Sequence, residues 1–320
     1  MSFQGIQEAY ERITGIANKT PVMKSRTLDS MLKANICFKC ENFQRGGAFK
    51  FRGAYNALSL LTEEEKNKGV ITHSSGNHAQ AVALAATILG IQATIVIPKE
   101  APLNKINATI DYGAHIVLCD NTLESRTQTT KKLIQKHQYT LIHPYDNNDV
   151  ICGQGTAAFE LLKDVGNLDI IVTPLGGGGL LSGTALVTKE LYPDAQVIGV
   201  EPSKADDAYR SIQAGKVIPS NYPDTIADGL RTSICERTFN IIRRFVDQII
   251  TVSEIEILRA MKYLWERMKI IVEPSGAVPL AALLENKIDA KGKRIGIILS
   301  GGNIDLEPFF KLIEKKVFEQ

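Results

Sequence analysis

The sequence has no apolar run of about 18 residues, the length a membrane helix needs, and its N-terminus, MSFQGIQEAYERI, lacks a basic stretch followed by an apolar core. That segment reads as an amphipathic helix, so neither a secretory signal nor a membrane span is expected, and a cytoplasmic protein is. An excess of one charge is also missing. The 37 basic and 35 acidic residues intersperse to a net +2 with no basic tract, which argues against nucleic acid and anionic membrane as partners. Cysteine is scarce: Cys37, Cys40, Cys119, Cys152 and Cys235 form an odd set without framework spacing, as befits a reducing compartment. Cys37 and Cys40 make a C-x-x-C inside the strand-like ICFKCENF, where positions i and i+3 face opposite ways, so no zinc or redox pair is expected. Repeats, low-complexity segments and long linkers are absent as well.

What is present is alternation. At 320 residues the chain suits two domains, or one large α/β body with an insertion. ICFKCEN, GVITHS, ATIVIP, AHIVLC, YTLIHP, LDIIVTPL, AQVIGVE and RIGIILSGG read as strands. Helical patterns separate many of them: FKFRGAYNALSLL, Asn77 to about Leu89, Thr122 to about Lys136, and the stretch up to Leu191. Pro102 suits the first turn of a further helix. Ser253 and Glu256 have capping-box spacing, and Ile257, Leu258, Met261, Leu264, Trp265 and Met268 behind them form a stripe read as core. Alternation of this kind predicts an α/β fold with mostly parallel sheet covered by helices, and ligands beyond the carboxyl ends of its strands.

Four glycines, Gly176 to Gly179, follow a strand and precede a helix. Backbone N–H groups converge there without side-chain obstruction, and the helix N-terminus favours an anion, so the loop reads as a phosphate site. Dinucleotide spacing fails, because Leu181 and Ser182 stand five residues after Gly176 and Gly177, and no Walker lysine follows. Lys50, in GGAFKFRGA, is flanked by Ala48, Phe49 and Phe51; partial burial there would lower its pKa and free its amine. Such a lysine is what a carbonyl cofactor needs for a Schiff base. Ser74-Ser75-Gly76-Asn77-His78 and Ser300-Gly301-Gly302-Asn303 each follow a strand, the first with good capping residues, the second with a hydroxyl suited to a ring nitrogen.

Together these segments resemble the fold-type II pyridoxal-phosphate enzymes over nearly the whole chain, in particular the serine/threonine dehydratase, serine racemase and threo-3-hydroxyaspartate ammonia-lyase group. The resemblance rests on ENFQRGGAFKFRGA, SSGNHAQA, GQGT (153–156), PLGGGGLLSG, GVEP (199–202), TIADG (225–229), ERMK (266–269) and ILSGGN, in that order. It implies a tryptophan synthase β-like fold of two open, twisted, mostly parallel sheets flanked by helices. Residues 1–68 and 148–320 would form a large cofactor-binding domain, and 69–147 a small mobile domain carrying the substrate loop. Lys50 would carry pyridoxal 5'-phosphate as a Schiff base and act as general base. Gly176, Gly177, Gly178, Gly179 and Leu180 would hold the phosphate, Asn77 the ring hydroxyl and Ser300 the ring nitrogen.

By the same resemblance, Ser74, Ser75, Gly76, Asn77 and His78 would clasp the substrate carboxylate. Ser75, alanine in many plain threonine dehydratases, would protonate the opposite face and confer some serine racemisation. Arg126 would approach the substrate and suit a second carboxylate. Glu201, the Ala205 carbonyl and Asp207 would bind Mg²⁺, Ca²⁺ or Mn²⁺. The implied reaction is elimination of water from L-serine, L-threonine or threo-3-hydroxyaspartate to give an α-keto acid and ammonia, in a homodimer. A β-replacement enzyme of the cysteine synthase type, or a non-catalytic amino-acid-binding protein on this fold, are the alternatives. Arg45-Gly46 and Ser25-Arg26 depart from the residues of a mammalian nucleotide site, which counts against ATP activation, and isoleucine feedback is not expected.

Overall fold

The structure is a computed structural model that describes residues 1–101, 103–220, 223–307 and 309–311. Its strands, in chain order, are β1 (Val22–Lys24), β2 (Asn35–Cys40), β3 (Val70–His73), β4 (Ala93–Pro98) and β5 (His115–Cys119). They continue with β6 (Thr140–Leu141), β7 (Ile170–Pro174), β8 (Gln196–Pro202), β9 (Gln248–Val252) and β10 (Arg294–Leu299). The larger sheet runs β1-β2-β10-β7-β8-β9 and the smaller β5-β4-β3-β6. Only the β1–β2 pairing is antiparallel. Every residue of β4 and β7 is buried, which is why both read as unbroken apolar runs: helices cover both faces.

The last strand enters the middle of the larger sheet, pairing in parallel with β2 and with β7. The turn that follows β10 therefore emerges between the segment after β2 and the glycine loop after β7. Backbone bonds lock this arrangement. Phe49 N–H donates to the Ser300 carbonyl at 3.0 Å, Gly302 N–H to the Gly47 carbonyl at 2.9 Å, and Ala48 bridges Gly301.

The helix Lys50–Ser59 that starts from this anchor is buried along most of its length. It crosses the helix Asn148–Val165 at glycines. A Cβ at Gly53 would come 2.7 Å from the Val150 carbonyl oxygen, and one at Gly153 would come 2.5 Å from that of Arg52. Gly155 meets Gly183 of the helix Gly179–Leu191 in the same way, a Cβ on Gly183 falling 2.6 Å from the Gly155 Cα. The GQGT segment thus owes its glycines to helix packing.

Beside that crossing lies a buried ionic group. Arg52 donates from Nε to Glu41 Oε2 at 2.7 Å, from Nη1 to Glu160 Oε1 at 2.7 Å, and from Nη2 to Glu41 Oε1 at 2.9 Å and Glu160 Oε2 at 2.8 Å. Lys39 Nζ donates to Glu160 Oε2 at 2.7 Å and to the Thr20 carbonyl at 2.8 Å. Two cations and two carboxylates balance, and the bidentate forks satisfy both acids.

Most of the expected elements are present with shifted ends. The strand around Cys37 stops at Cys40, and Glu41–Phe43 is a single tight turn. The expected strand YTLIHP contracts to Thr140–Leu141 at the edge of the smaller sheet. Thr122 caps the helix Leu123–His137, and the Ser253–Glu256 capping box forms reciprocally. Behind it Ile257, Met261 and Leu264 are buried, with Leu258, Trp265 and Met268 packed on the same cluster, so the stripe is core. Cys37 and Cys40 join different core clusters and do not form a pair. The site expected for Pro102 lies outside the described residues.

Arg52→Met leaves two buried carboxylates without their shared partner. It is expected to lower the free energy of unfolding by about 3–5 kcal/mol, measured by urea denaturation of the purified protein. A loss under about 1 kcal/mol would remove the ionic group from the account of what holds this helix.

Candidate active site

The carboxyl ends of β10 and β7 gather most of the residues singled out in the sequence. Lys50 begins its helix half-buried, with Nζ 3.3 Å from the Pro144 carbonyl and 4.9 Å from the centre of the Phe49 ring. Burial pulls the amine down to about 8, against the opposing pull of Glu273. An appreciable share is therefore unprotonated near neutral pH, the form a nucleophilic lysine requires.

The glycine loop leaves β7 and enters the helix Gly179–Leu191, whose first helical bond runs from Ser182 N–H to the Gly178 carbonyl at 2.9 Å. Gly178 has φ +86°. A Cβ on Gly177 would lie 2.2 Å from Cδ1 of Tyr145, and one on Gly179 would lie 2.3 Å from Oε1 of Gln154. Among the described residues, the N–H groups of Gly176 through Leu180 have no acceptor. Unsatisfied donors at a helix N-terminus, with no room for side chains, fit the phosphate of pyridoxal phosphate.

Ser300 is buried, its carbonyl accepts from Phe49 N–H, and among the described residues its hydroxyl has no hydrogen-bond partner. Asn77 is more occupied than the sequence suggests. Its Nδ2 donates to Glu273 Oε1 at 2.8 Å, and its Oδ1 accepts from Asn303 Nδ2 at 2.9 Å. Asn303 Nδ2 also donates to the Gly46 carbonyl at 2.6 Å, so the Lys50 segment, the Ser300 turn and the Asn77 helix are tied together. Glu273 is the residue that sequence reasoning missed here. Burial, then the nearby Asp228, push its carboxyl up to about 8 despite the bond from Asn77. No periodicity or loop signal marks it: it is the residue before Pro274 at a helix start. Tyr145, which bounds the glycine loop with Gln154, was equally silent.

The Ser74–His78 loop opens the helix Asn77–Leu89. Ser74 Oγ accepts from Gly76 N–H at 3.3 Å, Ser75 Oγ has no partner among the described residues, and space is open where a Gly76 side chain would stand. The first-turn N–H groups of Asn77, His78 and Ala79 have no acceptor among the described residues, since the first helical bond belongs to Gln80. The His78 ring is turned inward: Nε2 lies 2.9 Å from the Ile142 carbonyl, and burial and then Lys50 hold its pKa well below the usual range. Its side chain braces the loop, and its backbone N–H has no acceptor among the described residues. Arg126, on the helix Leu123–His137, is partly buried, with Nε shielded from water and unpartnered.

Glu201 and Asp207 lie apart from these residues, at the end of β8 and the start of the helix Asp207–Ala214, both fully buried. Glu201 caps that helix, accepting from Ala208 N–H at 3.2 Å and Tyr209 N–H at 2.8 Å. Asp207 Oδ2 accepts from Ile234 N–H at 3.0 Å, while Oδ1 is buried without a partner. Burial, then Asp207, push Glu201 well above the usual carboxylate range, and burial raises Asp207 to about 6. Among the described residues no three His, Cys, Asp or Glu side chains converge, so any cation here would rely on two carboxylates and backbone oxygen. The orphaned Oδ1 fits such an oxygen-liganded ion.

The chain is similar to known proteins in sequence and in structure. Residues 13–301 match the model of the pyridoxal-phosphate dependent enzyme family. An L-threo-3-hydroxyaspartate ammonia-lyase of Saccharomyces cerevisiae is 50% identical over 98% of this chain and 97% of its own. The crystal structure of serine racemase from Dictyostelium discoideum superposes with a TM-score of 0.92 at 49% identity, covering 95% of this chain and 99% of that one. Maize serine racemase gives a TM-score of 0.94 at 43% identity, covering 99% and 98%. With Lys50, the glycine cradle and the Ser300 turn brought to one place, the chain belongs to the pyridoxal-phosphate-dependent enzymes of fold type II.

Proposed function

We propose that this enzyme is an ammonia-lyase that eliminates water from β-hydroxy amino acids, prefers threo-3-hydroxyaspartate, and racemises serine as a second activity. The observation that carries the reading is the half-buried Lys50 amine, held at about 8, with unsatisfied donors on either side of it. The similarity to a hydroxyaspartate ammonia-lyase and to serine racemases supports the choice of substrate class.

Pyridoxal phosphate, when bound, supplies an electron sink that acidifies the Cα–H of an attached amino acid. The amides of Gly176 through Leu180 would hold its phosphate, and Lys50 would be its point of attachment. The Lys50 amine, when free, would serve as general base at Cα. The Ser300 hydroxyl would be the neutral partner of its ring nitrogen, a setting that favours elimination. Asn77, fixed by Glu273 and Asn303, would be the partner of the ring hydroxyl. The N–H groups of Asn77 to Ala79, with the hydroxyls of Ser74 and Ser75, receive the substrate α-carboxylate at a helix N-terminus. Ser75 Oγ, free of protein bonds, returns a proton to Cα from the side opposite Lys50.

Glu201, Asp207 and the Ala205 carbonyl are read as the holders of a divalent cation outside the chemistry. The support is a pair of buried acids, one oxygen of which has no donor. Adding about 1 mM Mg²⁺, Ca²⁺ or Mn²⁺ to chelator-treated enzyme is expected to raise its melting temperature by about 3–6 °C, an effect absent from Asp207→Asn. Equal shifts in both proteins would reject the assignment.

Lys50→Ala is expected to lose the visible absorbance near roughly 410–420 nm that a lysine-linked cofactor gives, together with all keto-acid release. Survival of that band would exclude Lys50 as the attachment point. The substrate reading is tested by keto-acid release from both enantiomers of serine, threonine and threo-3-hydroxyaspartate. Oxaloacetate formation from hydroxyaspartate should exceed pyruvate and 2-oxobutyrate formation in kcat/KM by about tenfold or more. In the same assay Ser75→Ala should lose D-serine formation by about a hundredfold or more and retain elimination. Comparable kcat/KM for threonine and hydroxyaspartate would overturn the preference.

A further inference from the structure

Helix packing accounts for the glycines of the GQGT segment but not for Gln154 between them, a fully buried amide on the helix Asn148–Val165. Its stem passes Gly53, one turn beyond Lys50, where a Cβ would come 2.9 Å from Gln154 Cγ. Its Oε1 lies against Gly179, where any side chain would collide with it, and has no hydrogen-bond partner among the described residues. The side chain is thus wedged between the Lys50 helix and the phosphate cradle. An amide is an unfavourable filler for such a place, so the bond it does make is informative.

That bond goes to the Pro144 carbonyl, to which Gln154 Nε2 donates at 3.1 Å. The same oxygen accepts from Lys50 Nζ at 3.3 Å, and among the described residues the amine makes no other hydrogen bond. A carbonyl oxygen has two lone pairs, and these two donors fill it. The other edge of the same peptide is held as well. Tyr145 N–H donates to His143 Nδ1 at 3.4 Å, alongside Asp146 N–H at 2.8 Å. The His143 ring meets His73 edge to face at 5.9 Å; burial, then His73, lower its pKa to about 4. A loop peptide between β6 and the helix Asn148–Val165, with no sheet or helix to orient it, is therefore fixed at both edges by side chains.

Resting on the reading of Lys50 as general base, we propose that Gln154 is a positioning residue for that base: it fixes the Pro144 carbonyl as the acceptor on which the freed amine docks. A neutral amine that donates one N–H to a fixed oxygen has its lone pair directed elsewhere. The ammonium formed when it takes the Cα proton is held more firmly by the same oxygen, because a charged donor makes a hydrogen bond roughly twice as strong as a neutral one. Gln154 thus acts on where the base points and on how readily it accepts a proton. The titratable groups that face the amine are Glu273, His78 and His143. Glu273 is engaged by Asn77, and both rings are neutral, so Pro144 supplies the direction.

The test replaces the amide by a side chain of equal length without a donor, Gln154→Met. In the apoenzyme, labelling of Lys50 by acetic anhydride across pH, read by peptide mass spectrometry, should place its ionisation midpoint about one pH unit below that of the wild type. In the holoenzyme, kcat for L-serine should fall about tenfold or more with KM held within about threefold. The rate ratio of α-protonated to α-deuterated serine should rise, because proton transfer becomes the slower step. A packing defect alone would lower the melting temperature and leave the midpoint and the isotope ratio where they were. If Gln154→Met does not fold, His143→Phe loosens the same peptide at its N–H edge, and it removes no charge at neutral pH. It should move the midpoint the same way, and His143→Asn, which keeps an acceptor, should restore it. A midpoint and an isotope ratio unmoved in Gln154→Met, or in His143→Phe where only that variant folds, overturn the positioning role. The premise is read separately: cofactor-loaded Lys50→Ala that still exchanges the α-hydrogen of L-serine with D2O has another base. That result overturns the catalytic purpose of the contact even if Gln154→Met moves the midpoint.

Discussion

The arrangement that the rest of the molecule depends on is the return of the last strand to the centre of the larger sheet. By pairing with β2 on one side and β7 on the other, β10 sets the Ser300 turn between the Lys50 segment and the glycine loop. These three pieces are separated by more than a hundred residues from one another and have no local reason to meet. Parallel pairing brings their carboxyl ends to one edge, and the Phe49–Ser300 and Gly302–Gly47 bonds then set their relative height. A site at the carboxyl ends of a parallel sheet is a property of the topology before it is a property of any side chain.

Rigidity around Lys50 comes from two opposite devices. Glycines at Gly53, Gly153, Gly155 and Gly183 let three helix backbones approach where any Cβ would collide. Next to them Arg52 fills the space with charge, satisfied on both edges by Glu41 and Glu160. Removing either partner of such a group is far more damaging than the net contribution of the intact group would suggest. Both devices act on the first turns of the helix Lys50–Ser59, so the amine is aimed by packing two residues away from it.

Across the site the electrostatics divide by role. The groups gathered at the site are held toward neutrality or donate: the depressed amine of Lys50, the rings of His73 and His143, and the amides of two helix starts. The acids are held elsewhere. Glu273 is spent on Asn77, Asp146 on Arg237, and Glu201 with Asp207 lie beyond the chemistry. A site with spare donors and few free carboxylates receives anionic substrates and an anionic cofactor without competition from the protein's own acids.

Much of this was readable from the chain. Strand and helix periods marked β4, β7 and β8 because their residues are buried on both faces, and four successive glycines at a strand end have few other uses than an anion. Lys50 among phenylalanines made a perturbed amine plausible, and burial in the fold lowers it to about 8. The helix Asn148–Val165 carried no such mark, because Gly153 and Gly155 weaken its local signal and only contact with Gly53 and Gly183 explains them. Glu273, Tyr145 and the His73–His143 pair were likewise invisible, each defined by a neighbour distant in sequence. The sequence by itself determined the class of fold and the cofactor, because those depend on short segments with their own chemistry. Tertiary structure alone decided which acids are silenced and which histidines are held neutral, because burial and charge proximity are sums over residues that only folding brings together.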